Sequence, residues 1–146
     1  MQTFLPYADF EKSLSCLDYK RLGKQRVEAM QIINSLEKGG GWKNHPATLM
    51  WKGYIEALKL YCNTAIKLWV ERGYKNTMKL YDINNNKLKF PFWFGNNKLH
   101  DSHKAMLFHK NPEFYSVFQD FQNITEYFWV VTKKTLRSNN DIKSPS

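Results

Sequence analysis

Apolar positions along this chain fall mostly at steps of three and four, the spacing of a helix face. Residues 9–17 suit a short helix with Asp9 as its N-cap. Asp18 to about Lys38 predicts a longer one, stopped by Gly39-Gly40-Gly41, the strongest break in the sequence. After Trp42-Lys43-Asn44-His45-Pro46, the recurrence of Leu49, Met50, Tyr54, Leu58, Tyr61, Ala65, Leu68 and Trp69 predicts a second long helix ending at Gly73. Residues 82–98 are rich in Asn and Lys around Pro91 and predict a loop packed by its own aromatics. Residues 102–109 suit one more short helix. Asn111-Pro112-Glu113 opens another, with Asn111 as cap and Pro112 in the first turn. Residues 125–132 are β-branched and aromatic enough for a short strand, with no evident partner. The expected fold is mainly α: one compact helical domain over residues 1–137 and a flexible polar tail over 138–146.

Composition narrows the function. No run approaches the roughly 18 apolar residues of a membrane span, and the N-terminus lacks the basic-then-apolar order of a secretion signal. Cys16 and Cys62 alone make neither a disulfide framework nor zinc-ligand spacing. An intracellular domain is expected. Its 146 residues carry 22 Lys+Arg against 13 Asp+Glu, a net +9, with 16% aromatics. That balance favours nucleic acid as partner, because phosphates attract Lys and Arg while bases stack on aromatic rings.

The helix from Asp18 to Leu36 carries the strongest local signal. At about 100° per residue, Leu22, Ala29, Ile32, Ile33 and Leu36 share the core face, and Asp18, Arg21 and Gln25 lie on or beside it in the N-terminal half. A stripe that turns from apolar to ionisable runs from a core into a cleft, where a partly desolvated carboxylate becomes a usable acid or base. Lys20, Lys24 and Arg26 lie elsewhere on the wheel, suited to phosphates. The simpler alternative is an Asp18 cap paired with Arg21 beside a solvated basic face. Gly23 costs about 1 kcal/mol relative to Ala in a helix, which points to close approach by another group.

Four stretches together carry a family resemblance: Lys20–Val27 (KRLGKQRV), Trp42–Pro46 (WKNHP), Glu71–Tyr74 (ERGY) and Pro112–Phe118 (PEFYSVF). In this order and spacing the chain resembles the endonuclease V-type pyrimidine-dimer DNA glycosylases, and more closely their bacterial and viral branch. The resemblance implies a compact helical fold, bending of double-stranded DNA, an extruded base and glycosidic cleavage. It implies an N-terminal α-amine as nucleophile, attacking the sugar C1′ to form an imine that allows strand cleavage by β-elimination. A helix glutamate within an Arg-Glu pair assists. It implies no metal or cofactor, and a monomer is expected. The chemistry suits neutral pH, since α-amines generally titrate at about 7.7–8.

Two positions depart from the pattern. Gln2 has a large side chain that disfavours removal of Met1, which makes the Met1 amine the candidate nucleophile. Alignment on Arg26-Val27 puts Gly23 where the family's glutamate falls, and a shifted alignment puts Lys20 there. Asp18 is the first substitute as acid or base because it opens the helix on the cleft stripe, and Glu28, at the stripe's edge, is the second. A glycosylase using Asp18-activated water would not need the amine.

Further DNA-binding candidates are Lys20, Arg21, Lys24, Arg26 and Lys43 at phosphates, Gln25 among them on the same helix, and His45 before the second helix at a phosphate or base. The alternative for His45 is a single loop-fixing hydrogen bond. His100 and His103 have two-ligand spacing but lack a characteristic third, and His103 with Lys104 is expected to face DNA. Phe114, Tyr115, Phe118 and Phe121 read first as core, though by the resemblance Tyr115 would stack on a base, and Trp93 is a similar, weaker candidate. Trp51, Trp69 and Trp129 are assigned to packing. The rival reading is a non-catalytic DNA-binding or damage-recognition protein that keeps the fold. An RNA-binding module lacks its aromatic-and-glycine signature.

Overall fold

The computed structural model describes residues 1–129 in full, together with the backbone of 130 and 136–138. The expected tail from residue 139 onward lies outside the described residues. Among the described residues, five α-helices form the body: α1 (Phe10–Ser15), α2 (Tyr19–Lys38), α3 (Pro46–Trp51), α4 (Ile55–Glu71) and α5 (Asn97–Lys110). A 3₁₀ helix (Ser116–Phe121) follows, then the antiparallel pair β1 (Phe128–Val130) and β2 (Leu136–Ser138). Among the described residues, no helix is long and apolar enough to cross a membrane.

Local chemistry sets the helix ends. Asp9 caps α1 through its carboxylate, which accepts from the Lys12 N–H at 2.7 Å. Gly39, at φ +76°, terminates α2 in a conformation glycine adopts without steric cost. Asn96 caps α5, accepting from Lys98 and Leu99, so this helix starts five residues earlier than its apolar pattern suggests.

Three expectations are corrected. The second long helix is two, α3 and α4, because Gly53 at φ +90° turns the chain between them. The segment after Asn111 does not continue as an α-helix. Asn111 Oδ1 accepts from the Phe114 N–H at 3.2 Å, and the chain passes through a turn into the 3₁₀ helix. The strand does have a partner, since Trp129 lies opposite Arg137 in the β1–β2 register.

The principal packing is α2 against α4. Leu22, Ala29, Ile32 and Ile33 of α2 meet a core that includes Leu58, Tyr61, Cys62 and Ala65 of α4, all buried. Gly23 sits where α2 passes the Trp69 indole, and a Cβ there would stand 3.0 Å from two ring carbons. The ring cannot easily retreat. Tyr74 stacks on it with centroids 4.4 Å apart, and the Arg26 guanidinium lies 4.5 Å from its centroid.

Gly23→Ala is therefore expected to destabilise the fold despite the better helix propensity of alanine. Overpacking costs about 1–3 kcal/mol against a propensity gain of about 1 kcal/mol. A lower urea midpoint with an unchanged m-value is the expected result; an unchanged or higher midpoint would mean that Trp69 yields.

Candidate active-site cleft

The first half of α2 forms one wall of a cleft of about 330 Å³. Lys20, Arg21, Lys24, Gln25 and Glu28 all line it, at spacings that place them along one stripe of the helix. The facing wall is the N-terminal segment, with Met1, Gln2 and Phe4; Lys110 at the end of α5 and Tyr127 before β1 complete the lining. Lys110 and Tyr127 escaped the sequence reading. The only signal for Lys110 was a basic residue in the last turn of α5, and Tyr127 had merged into the strand pattern.

The N-terminal segment runs through the helical interior without regular structure, so side chains must satisfy its backbone. Gln25 Oε1 accepts from the Phe4 N–H at 2.9 Å, and Gln25 Nε2 donates to the Gln2 carbonyl at 3.0 Å. Tyr61 Oη stands 2.8 Å from the Phe4 carbonyl and 2.6 Å from Gln25 Oε1, its one proton shared between them. The Trp51 indole N–H donates to Thr3 Oγ1 at 3.0 Å. His103 Nδ1 accepts from the Leu5 N–H at 2.8 Å, while His100 Nδ1 donates to the Leu5 carbonyl at 2.7 Å. The His100 tautomer follows from its other nitrogen, which accepts from the Gly95 N–H at 2.9 Å.

The two candidate carboxylates sit in opposite environments. Asp18 does not line the cleft. Its carboxylate accepts from the Tyr115 hydroxyl in a short hydrogen bond and from Arg21 at 3.0 Å. Burial alone would raise its pKa, but these donors and the Arg21 charge outweigh it and hold the carboxyl below its ordinary value. Such a carboxylate is a poor proton donor at neutral pH. It also forms no side-chain cap on α2; it fixes Arg21 at the cleft edge instead.

Glu28 is half-buried in the cleft wall. Desolvation raises its pKa above the usual glutamate value, while the N-terminal amine, the Gln2 backbone N–H, Lys24 and Gln25 limit the rise. Gln25 Nε2 reaches its Oε2 at 3.0 Å. The charge of the amine thus acts on Glu28, and it also acts on His45, whose pKa is lowered by burial and then by that charge. His45 Nδ1 accepts from the Ala47 N–H at 3.0 Å and so caps α3, which is the loop-fixing alternative rather than a phosphate contact through that nitrogen. Thiols offer no competing nucleophile, because burial pushes Cys16 to about 11 and Cys62 to about 12.

The other expected DNA contacts are held by internal partners or stand outside the cleft. His103 is 0% exposed and holds Leu5. Tyr115 is 1% exposed, stacked on Phe118 and bonded to Asp18, so it offers no face to a base. Trp93, also 1% exposed, donates to the Met50 carbonyl and packs on Trp51. Gln25, 1% exposed, is spent on the internal network above. Arg26 bonds to Asn76 Oδ1 at 2.5 Å and lies over Trp69, outside the cleft lining. Lys104 pairs with Asp101 at 3.4 Å and lies over the Tyr7 and Phe121 rings. Lys43 is exposed on the turn before α3, apart from the cleft.

Fold and site together define a small helical protein with a cationic cleft built between α2 and its own N-terminal segment. The family model for pyrimidine dimer DNA glycosylase matches residues 1–82, more than half of the chain. The chain belongs to that family. The matched region contains every cleft residue named above except Lys110 and Tyr127. No curated protein and no solved structure matches the chain.

The histidine pair makes fold stability acid-sensitive. Burial, then the neighbouring His100, lowers His103 to about 3 from an ordinary 6.5. Below pH 6.5 the unfolded chain binds a proton that the folded one refuses, so stability is lost as pH falls toward 3. From His103 alone the slope is about 1.4 kcal/mol per pH unit in that window. Urea unfolding between pH 7 and pH 5 should show it, and His103→Gln, which retains an acceptor for Leu5, should flatten the dependence; an equal slope in the variant would contradict this assignment.

Proposed function

We propose that this protein cleaves the N-glycosidic bond of a damaged pyrimidine in duplex DNA, with the Met1 α-amine as nucleophile and Glu28 as the assisting carboxylate. The observation that supports the reading most is the shared cleft: Met1 and Glu28 line it together with Lys20, Arg21, Lys24 and Lys110. Four cations around one carboxylate suit a phosphate backbone that brings a sugar to the amine.

The chemistry follows from those groups. The neutral amine attacks C1′ with its lone pair, the bond from C1′ to the base breaks, and the base departs with the bonding electrons and takes up a proton. The amine sheds a proton as the sugar ring opens, leaving an iminium between Met1 and C1′. Glu28, ionised, stabilises the cationic sugar and accepts the released proton. Loss of a proton from C2′ then expels the 3′ phosphate, which is the lyase step; water on the iminium instead releases the sugar with the strand intact. Asp18 enters no step, since it orients Arg21 toward the cleft. The protein acts on the DNA as a monomer.

Three measurements test this reading. Borohydride added to protein and UV-irradiated duplex should trap a covalent adduct carried by Met1, and no adduct on irradiated or abasic duplex would sink the amine mechanism. Base release without trapping, abolished by Asp18→Asn, would favour activated water, and binding without base release would favour a damage-recognition protein. Glu28→Gln should slow base release by about 10²–10⁴-fold with DNA affinity retained. Because the pKa of Glu28 is raised, its active carboxylate form is lost as pH falls through a value above that of an ordinary glutamate. Protonation of the amine sets the first acid limb, and Glu28 should add a second, steeper break above the ordinary glutamate range that is missing in Glu28→Gln. Affinity should fall steeply with salt, and Lys24→Glu or Lys110→Glu should each reduce the log–log salt slope by about 1.

A further inference from the structure

We propose that Gln25 is the positioning residue of this cleft: one amide side chain fixes both the strand that carries the α-amine and the carboxylate of Glu28. The proposal rests on the reading of Met1 and Glu28 given above and names what sets their geometry.

Gln25 makes three hydrogen bonds to these two elements and a fourth to Tyr61 of α4. Its Oε1 takes the Phe4 N–H and a share of the Tyr61 hydroxyl, and its Nε2 gives one proton to the Gln2 carbonyl and the other to Glu28 Oε2. The amide cannot be reversed. Phe4 presents a donor and Gln2 and Glu28 present acceptors, so oxygen and nitrogen have one workable assignment. The side chain is 1% exposed, so no water replaces a lost partner cheaply. It grips the N-terminal segment at residues 2 and 4, leaving Met1 only one residue beyond the first grip.

Farther along the segment, His100 and His103 hold both polar groups of Leu5. These contacts anchor the segment to α5 but touch neither Glu28 nor Gln2. Gln25 alone among these side chains bonds both to the segment that carries Met1 and to Glu28. An amide suits the task because it couples an acceptor and two donors on a rigid plane without adding charge. A carboxylate there would lack both donors and repel Glu28.

The groups that face Glu28 besides Gln25 are the α-amine and Gln2 from the N-terminal segment, Lys24 on α2, Tyr61 on α4 and Tyr127 before β1. Lys20, Arg21 and Lys110 share the cleft. Removing the Gln25 donor leaves the rest in place, so Glu28 should protonate more easily.

The test compares the full-length protein with Gln25→Leu and Gln25→Glu. The titration of Glu28 is followed by carbon-13 NMR, and the rate of borohydride trapping and the dissociation constant are measured on duplex with an abasic site. The Glu28 titration should move up in Gln25→Leu and further up in Gln25→Glu, the trapping rate should fall by at least about tenfold, and the dissociation constant should change less than about twofold. A folded Gln25→Leu variant with unmoved Glu28 titration would overturn the proposal, as would a loss of affinity with the trapping rate intact. If Gln25→Leu does not fold, Tyr61→Phe, which removes one donor from Oε1 but spares Nε2, should slow trapping with little change in the Glu28 titration. Wild-type protein that traps no adduct would defeat the amine reading, and the titration would still decide whether Gln25 governs Glu28.

Discussion

The structure depends on burying a non-helical segment inside a helical protein. Residues 2–6 are all buried, and Leu5 is fully so. Such a segment has no ladder of its own, and each unpaired N–H or C=O would cost about 1–3 kcal/mol. The helices around it therefore present polar side chains at interior positions that would otherwise be apolar: Gln25 from α2, Trp51 from α3, Tyr61 from α4, and His100 and His103 from α5. Four helices are tied to one strand of chain, and the start of that strand is delivered to a cleft wall.

This constraint explains why α2 changes character halfway along. Its C-terminal half needs only to pack on α4, and Ala29, Ile32 and Ile33 do so. In its N-terminal half the interior stripe must satisfy the buried segment, and the residues flanking that contact open on the cleft. Gln25 meets the first need, and Lys20, Arg21, Lys24 and Glu28 line the opening. The same half carries Gly23 and Arg26 on its other flank, where the Trp69 ring passes so closely that a side chain has no room. One helix thus joins a core, a segment clamp and a charged cleft without any break in its backbone.

Much of this was legible in the sequence, and what escaped has a physical reason. Apolar periodicity located α2 and α4, and the Asp9 cap on α1 was apparent from residue type. The break at Gly53 was hidden because apolar spacing continued across it, and periodicity does not register a single left-handed residue. The stripe of Asp18, Arg21 and Gln25 suggests a helix running from the core into a cleft; Arg21 and Gln25 line one and Asp18 stands outside it, because the wheel cannot say what lies opposite. His103, Tyr115 and Gln25 have the side chains of DNA contacts, and their partners Leu5, Asp18 and Gln2 are distant in sequence or backbone atoms. A polar side chain that serves another segment's backbone leaves no local pattern.

The contrast between Asp18 and Glu28 shows how environment, more than residue type, divides the work of two carboxylates. Both lie on α2 or at its start, and position on the wheel favoured Asp18. Donors decide otherwise. Asp18 meets a phenol and a guanidinium, which bind its charge so well that protonation becomes harder; Glu28 meets burial, which penalises charge, tempered by an amine and an amide. Pushed apart in this way, the first is a fixed anion that holds Arg21 toward the cleft, and in the proposed reaction the second is the group that takes up a proton. The charge of the α-amine acts on Glu28 in the opposite sense to burial, so the carboxylate beside the proposed nucleophile keeps part of its acidity in a site that would otherwise remove it.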